Sequence, residues 1–154
     1  MKKLVKVRLI NWHYLSNETI ELNGNTLLTG PNASGKSTIM DAITYVLTAG
    51  DTAFNLAANE KGKRDLRGYV KCKLGMDDKE YLRNGDVTGH IALEFYDEKT
   101  QNSFTVGAVI DAFGDLTSSA CKLVILPTIL MAIKSEDITE VFNTINKISQ
   151  EEVK

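Results

Sequence analysis

Residues 30–37 read Gly30-Pro31-Asn32-Ala33-Ser34-Gly35-Lys36-Ser37, which satisfies the spacing G-x-x-x-x-G-K-[ST]. Each fixed position has a chemical use. Gly30 and Gly35 can take backbone angles that a side chain disfavours, so the chain can curl and turn its amide hydrogens toward one centre. Lys36 carries a compact mobile charge that can reach phosphate oxygens. Ser37 offers a hydroxyl to Mg²⁺, and Thr38 either supports it or fills the first helical turn. The pattern is that of a cradle for the phosphates of a nucleotide, ATP above all. Its binding set is Gly30, Pro31, Asn32, Ala33, Ser34, Gly35, Lys36, Ser37 and Thr38, with Lys36 stabilising phosphate charge.

A cradle of this kind needs a strand running into it and a helix leaving it. Thr26-Leu27-Leu28-Thr29 predicts the strand, ending at Gly30. Ile39, Ile43, Val46 and Leu47 share a helical face, with Met40 and Ala42 beside it, and Gly50 supplies the stop. That helix would aim its positive end at the same anion. Upstream, Leu4, Val7, Leu9 and Ile10 predict a first strand, Asn11 to Asn17 a loop, and Glu18 to Leu22 a second strand before the turn signal Asn23-Gly24. Downstream, residues 51–75 read as basic loop with a short helix. Val87 to Tyr96 and Phe104 to Ile110 alternate as the two arms of a hairpin. Leu123 to Ile133 reads as core or strand-turn-helix, and residues 135–150 as an amphipathic helix. Together these predict an α/β fold with a mixed sheet and an antiparallel hairpin.

Composition narrows the class. The chain has 154 residues, 43% hydrophobic and 25% charged, with a formal net charge of −2. That suits one soluble domain or part of a larger one, and any nucleic-acid contact must come from a local patch. Lys61, Lys63, Arg64, Arg67, Lys71 and Lys73 are such a cluster, able to meet DNA phosphates or to sit as a solvated helix face. Cys72 and Cys121 have no metal-ligand spacing and read as reduced thiols of a cytoplasmic protein. The charges of Lys2, Lys3, Lys6 and Arg8 break every apolar run near the start, so no signal peptide is expected. The apolar run of Leu123 to Ile133 is too short to cross a bilayer. Trp12 and Tyr14 offer faces to a base or to packing, His13 reads as a loop residue, and Asp41 reads as a helix acid rather than a ligand.

A family likeness rests on three runs. They are Leu9-Ile10-Asn11-Trp12-His13-Tyr14, Glu18-Thr19-Ile20, and Leu27 through Thr38 with Asp41-Ala42-Ile43. With Arg64 to Val70 and Gly89 to Tyr96, they resemble the start of an SMC-like ABC-type ATPase of the RecF, RecN, SbcC and MukB group, and within it the JetC subunits of Wadjet systems. The resemblance covers about residues 1–118, with 119–154 a divergent segment. It implies the N-terminal lobe of an ATPase head acting on DNA, with ATP and Mg²⁺ as cofactors and an arginine loop at Arg64 or Arg67. It also implies a complementary lobe bearing a Walker B aspartate, a catalytic glutamate and a signature motif. Two departures stand out. Ala33 occupies a position where the family often has Gly. No run of four apolar residues followed by Asp-Glu, no Ser-Gly-Gly and no long heptad repeat appears, and Gln101 lies in a hairpin turn. The expectation is therefore a truncated ATP-binding part with little turnover of its own. The alternative is a non-hydrolysing regulatory fragment. A free-standing kinase or GTPase lacks its lid arginines or [NT]KxD motif.

Overall fold

The computed structural model describes residues 1–50, 54, 65–74, 81–114 and 119–126. Among the described residues five strands build one sheet. They are β1 (Lys2–Trp12), β2 (Leu15–Glu21), β3 (Val87–Asp97), β4 (Asn102–Ala112) and β5 (Ser119–Leu126), in the spatial order β2-β1-β3-β4-β5. All four pairings are antiparallel. The expected hairpin is β3–β4, paired residue for residue from Val87↔Ala112 to Asp97↔Asn102. Gln101 takes a positive φ in its turn, as expected for a turn residue. β5 adds to the free side of β4, so the sheet continues into the segment after 118.

Among the described residues two helices accompany the sheet, α1 (Lys36–Leu47) and α2 (Leu66–Lys71). α2 is the short helix expected within 51–75; Asp65 caps it by accepting from the Gly68 amide. Val7 and Leu9 of β1, Ile91 and Leu93 of β3, and Ala108 and Ile110 of β4 join Ala42, Tyr45, Val46, Tyr69 and Val70 of the helices in one buried cluster. The period-two alternation of the strands thus presents one face to both helices.

Three local expectations are corrected. The loop over Asn11 to Asn17 is a two-residue turn, His13-Tyr14, because Ile10 pairs with Asn17 and Trp12 with Leu15. The polar residues there belong to an edge strand whose outer face meets water. The strand expected over Thr26 to Thr29 is not formed. The segment finds no ladder partner among the described residues, and Leu27 is 83% exposed. The Asn23-Gly24 signal accordingly opens a bend, with no returning strand. Finally, the buried face of α1 is Thr38, Asp41, Ala42, Tyr45 and Val46, while Leu47 is exposed. Ile39 and Ile43 still pack against the core, but the buried positions of the helix extend to Thr38 and Asp41, where the Trp12 indole meets the Thr38 carbonyl and the Tyr69 hydroxyl meets the Asp41 carboxylate. The helix expected over 135–150, the run beyond Leu126 and the side chain of Cys121 lie outside the described residues.

Candidate phosphate-binding site

The loop from Gly30 to Gly35 is shaped by backbone angles few residues accept. Ala33 has φ 64° and Gly35 φ 91°, both left-handed. A Cβ on Gly30 would lie 2.7 Å from the Ser34 Oγ, so a side chain there would displace the serine hydroxyl from the loop. The Ser34 amide donates back to the Pro31 carbonyl at 3.3 Å, closing a turn. Gly35 is the N-cap of α1, whose first amides emerge into the loop, where the helix favours an anion.

Lys36 folds over this turn. Its ammonium donates to the carbonyls of Gly30 and Pro31, each at 2.7 Å, and to Ser34 Oγ at 3.2 Å. All three hydrogens of the group are thereby engaged with the loop itself. The charge sits where the loop bends, and a phosphate arriving there exchanges neutral carbonyl partners for anionic ones, the stronger bond of the two. Pro31, Asn32, Ala33 and Ser34 are exposed, so a ligand reaches the loop from water. Ser37, half-buried in the first turn, supplies one hydroxyl. Mg²⁺ takes few protein ligands beside phosphate and water, so a single hydroxyl is compatible with that ion. Among the described residues no cluster of three or more His, Cys, Asp or Glu offers a separate metal site.

An aromatic group holds the loop's foundation. Trp12 is fully buried, and its indole N–H donates to the Thr38 carbonyl at 2.8 Å. Its ring stacks on Tyr69 with centroids 4.3 Å apart, and Phe54 packs against its edge. The Tyr69 hydroxyl donates to Asp41 Oδ2. Trp12 is therefore a core residue that fixes the start of α1, and Asp41 is a buried acceptor. His13 lies in the β1–β2 turn, where its amide donates to the Tyr69 carbonyl at 2.6 Å. Tyr14 alone of the two candidate base partners is exposed, and its hydroxyl donates to the Ala33 carbonyl at 2.9 Å.

Of the basic cluster, the described residues Arg67, Lys71 and Lys73 are drawn into the fold rather than left fully solvated. The Arg67 guanidinium donates to the carbonyls of Phe113 and Gly114 at 2.6 and 2.7 Å, tying α2 to the end of β4. Lys71 is buried, with its ammonium 5.9 Å from the centre of the Tyr81 ring. Lys73 is half-buried. Lys61, Lys63 and Arg64 lie outside the described residues. The reason is geometric: a helix of two turns packed on a sheet must turn some of its charges inward, and α2 turns Arg67 and Lys71.

Sequence reasoning did not single out Tyr69 or Arg83. Arg83 donates to the carbonyls of His13 and Val70 at 2.6 and 3.1 Å, and burial lowers its pKa. It braces the turn that carries Tyr14. Burial likewise pushes the Cys72 thiol up, which leaves it a neutral core residue. The signal that could have found Tyr69 is Asp65, a capping residue type at the start of the short helix.

Residues 4–61 match the family model described as the P-loop containing region of AAA domain. This stretch covers β1, β2, the loop and α1, and the N-terminal part of the chain is thus a P-loop, AAA-type NTPase region. No curated protein matches the chain. Among the described residues no helix is long and apolar enough to cross a membrane.

Proposed function

We propose that the chain is the ATP-binding N-terminal lobe of an SMC-like, DNA-associated ATPase head serving DNA maintenance, repair or anti-plasmid defence. The observation that carries the nucleotide reading is the Lys36 ammonium poised on the carbonyls of Gly30 and Pro31, inside a turn built on left-handed angles at Ala33 and Gly35. Gly30 to Thr38 would hold the triphosphate, with Ser37 toward Mg²⁺. The SMC-like reading is supported by the resemblance of the three N-terminal runs and by the long antiparallel sheet set beside the loop.

Turnover needs a carboxylate that orients water, and groups that meet the charge of the transferred phosphoryl. Asp41, the carboxylate of α1, is buried under the Tyr69 hydroxyl and does not serve. A complementary lobe supplying that carboxylate is the partner this surface suits. Residues 26–29, which join no ladder among the described residues, leave backbone groups that such a lobe could pair with. Beside them lies an apolar groove of about 330 Å³ lined by Leu4, Leu22, Leu28, Met40 and Ile43. Contact with DNA falls to Lys61, Lys63 and Arg64, since Arg67 and Lys71 are engaged within the fold.

Titration of the chain with Mg-ATP, followed by phosphate release with and without duplex DNA, tests this reading. Binding without turnover is expected, lost in Lys36→Ala. Equal affinity of wild type and Lys36→Ala would remove the site assignment, and brisk hydrolysis by the chain alone would remove the two-lobe account.

A further inference from the structure

Ala33 raises a physical question. A residue with a Cβ in the left-handed region costs about 1–2 kcal/mol relative to its ordinary conformations, and Ala33 stands there at φ 64°. Something must hold it. Two groups pin the loop from outside its backbone. One is Lys36, through the carbonyls of Gly30 and Pro31 and the hydroxyl of Ser34. The other is Tyr14, through the carbonyl of Ala33 itself at 2.9 Å. The first pin is conditional. When a phosphate draws the Lys36 ammonium to itself, the carbonyls lose their donor. The second pin is a neutral phenol on the Ala33 carbonyl, with no charge of its own for a phosphate to draw away.

Tyr14 is also well placed to stay. It is the second residue of the tight β1–β2 turn, whose paired flank is Trp12↔Leu15. The His13 ring meets it edge-on, with centroids 4.6 Å apart. Arg83 holds the His13 carbonyl from the other side. Its ring also borders the loop's last glycine, since a Cβ on Gly35 would lie 3.2 Å from the Tyr14 oxygen.

We propose that Tyr14 is a positioning residue for the phosphate loop: its hydroxyl keeps Ala33 left-handed, and so keeps the following amides aimed inward, once Lys36 has left the loop for a phosphate. This deepens the nucleotide-binding reading and rests on it. The tyrosine contributes no charge and touches no reacting atom. Its effect reaches the ligand through the shape of the peptide between Ala33 and Ser34.

A double-variant cycle tests the idea, with Mg and a fluorescent N-methylanthraniloyl ATP as the probe. Tyr14→Phe keeps the ring and removes only the hydroxyl. It should weaken binding roughly fivefold, the usual worth of one neutral hydrogen bond, with the melting temperature of the ligand-free chain unchanged. Ala33→Gly removes the strain that the hydroxyl is held to offset, so in that background Tyr14→Phe should weaken binding less than twofold. Amide exchange over residues 33–35 of the chain saturated with Mg and the nucleotide should quicken in Tyr14→Phe and not in the Ala33→Gly pair. Equal affinities of wild type and Tyr14→Phe, or an undiminished effect in the glycine background, would overturn the proposal while leaving nucleotide binding intact. A wild-type chain that takes up no probe would instead overturn the nucleotide reading, and this inference with it.

Discussion

Removing a single oxygen from Tyr69 tests how the phosphate-loop helix is anchored. Tyr69→Phe leaves the stack on Trp12 and the packing against Phe54, and deletes the hydroxyl that donates to Asp41. Asp41 is 4% exposed, so water cannot replace the donor without opening the helix start. A hydrogen bond to a charged buried group is worth about 1.5–3 kcal/mol, more than a neutral pair. The change should therefore lower stability by about 2 kcal/mol, close to a thirtyfold shift in the unfolding equilibrium. Urea unfolding followed by the fluorescence of Trp12, the sole tryptophan, reads this directly because the probe stacks on the mutated ring. A fall in midpoint at unchanged slope marks a loss of stability. The pair Tyr69→Phe with Asp41→Asn should be less destabilised than the sum of the two single variants, since the carboxylate that suffers is gone. Loss of under 0.5 kcal/mol in the single variant, or strict additivity in the pair, would refute the claim that this bond ties α1 to α2.

Other outcomes follow from the same geometry. His90 is buried in β3 between β1 and β4, and burial outweighs the pull of Asp111 to push its pKa down to about 4 from 6.5. The folded state thus resists the proton that the unfolded chain accepts. Stability should be full above pH 6.5 and fall by about 3 kcal/mol as the pH drops to 4, checked by urea midpoints across that window. His90→Gln should flatten that part of the profile. Arg67→Ala gives up two bonds to the end of β4 and should lower stability by about 1–2 kcal/mol in urea melts, with affinity for Mg-ATP unchanged. Gly35→Ala places a Cβ at a positive φ against Tyr14 and should weaken Mg-ATP binding at least tenfold, as read by calorimetric titration.

The phosphate loop was legible because its chemistry is local. Two glycines, a lysine and a serine at fixed spacing specify a shape made mostly by their own backbone. The β3–β4 hairpin was legible for a similar reason, alternation on both arms of a short turn. The full buried face of α1 was not. Counting apolar residues placed Leu47 inward with Ile39, Ile43 and Val46, whereas Leu47 is exposed and Thr38 and Asp41 are buried, because the Trp12 indole meets the Thr38 carbonyl and the Tyr69 hydroxyl meets Asp41. Those partners stand 26 and 28 residues away in the chain, beyond the reach of any periodicity. The segment Thr26 to Thr29 carried the composition of a strand, yet a strand exists only when something pairs with it. Charge was the least legible property: Lys and Arg at 61–73 read as one patch, while Arg67 and Lys71 are turned to carbonyls and to an aromatic ring.

The account stands on the loop's amides converging on a phosphate, and heteronuclear NMR of the labelled chain during addition of Mg-ATP observes those amides one by one. Saturable shifts concentrated on residues 33–38, with the Trp12 indole following through Thr38 and the far strands β4 and β5 unmoved, are the predicted result. Amides of that loop that stay in place at millimolar Mg-ATP, or shifts scattered over the sheet, would contradict it.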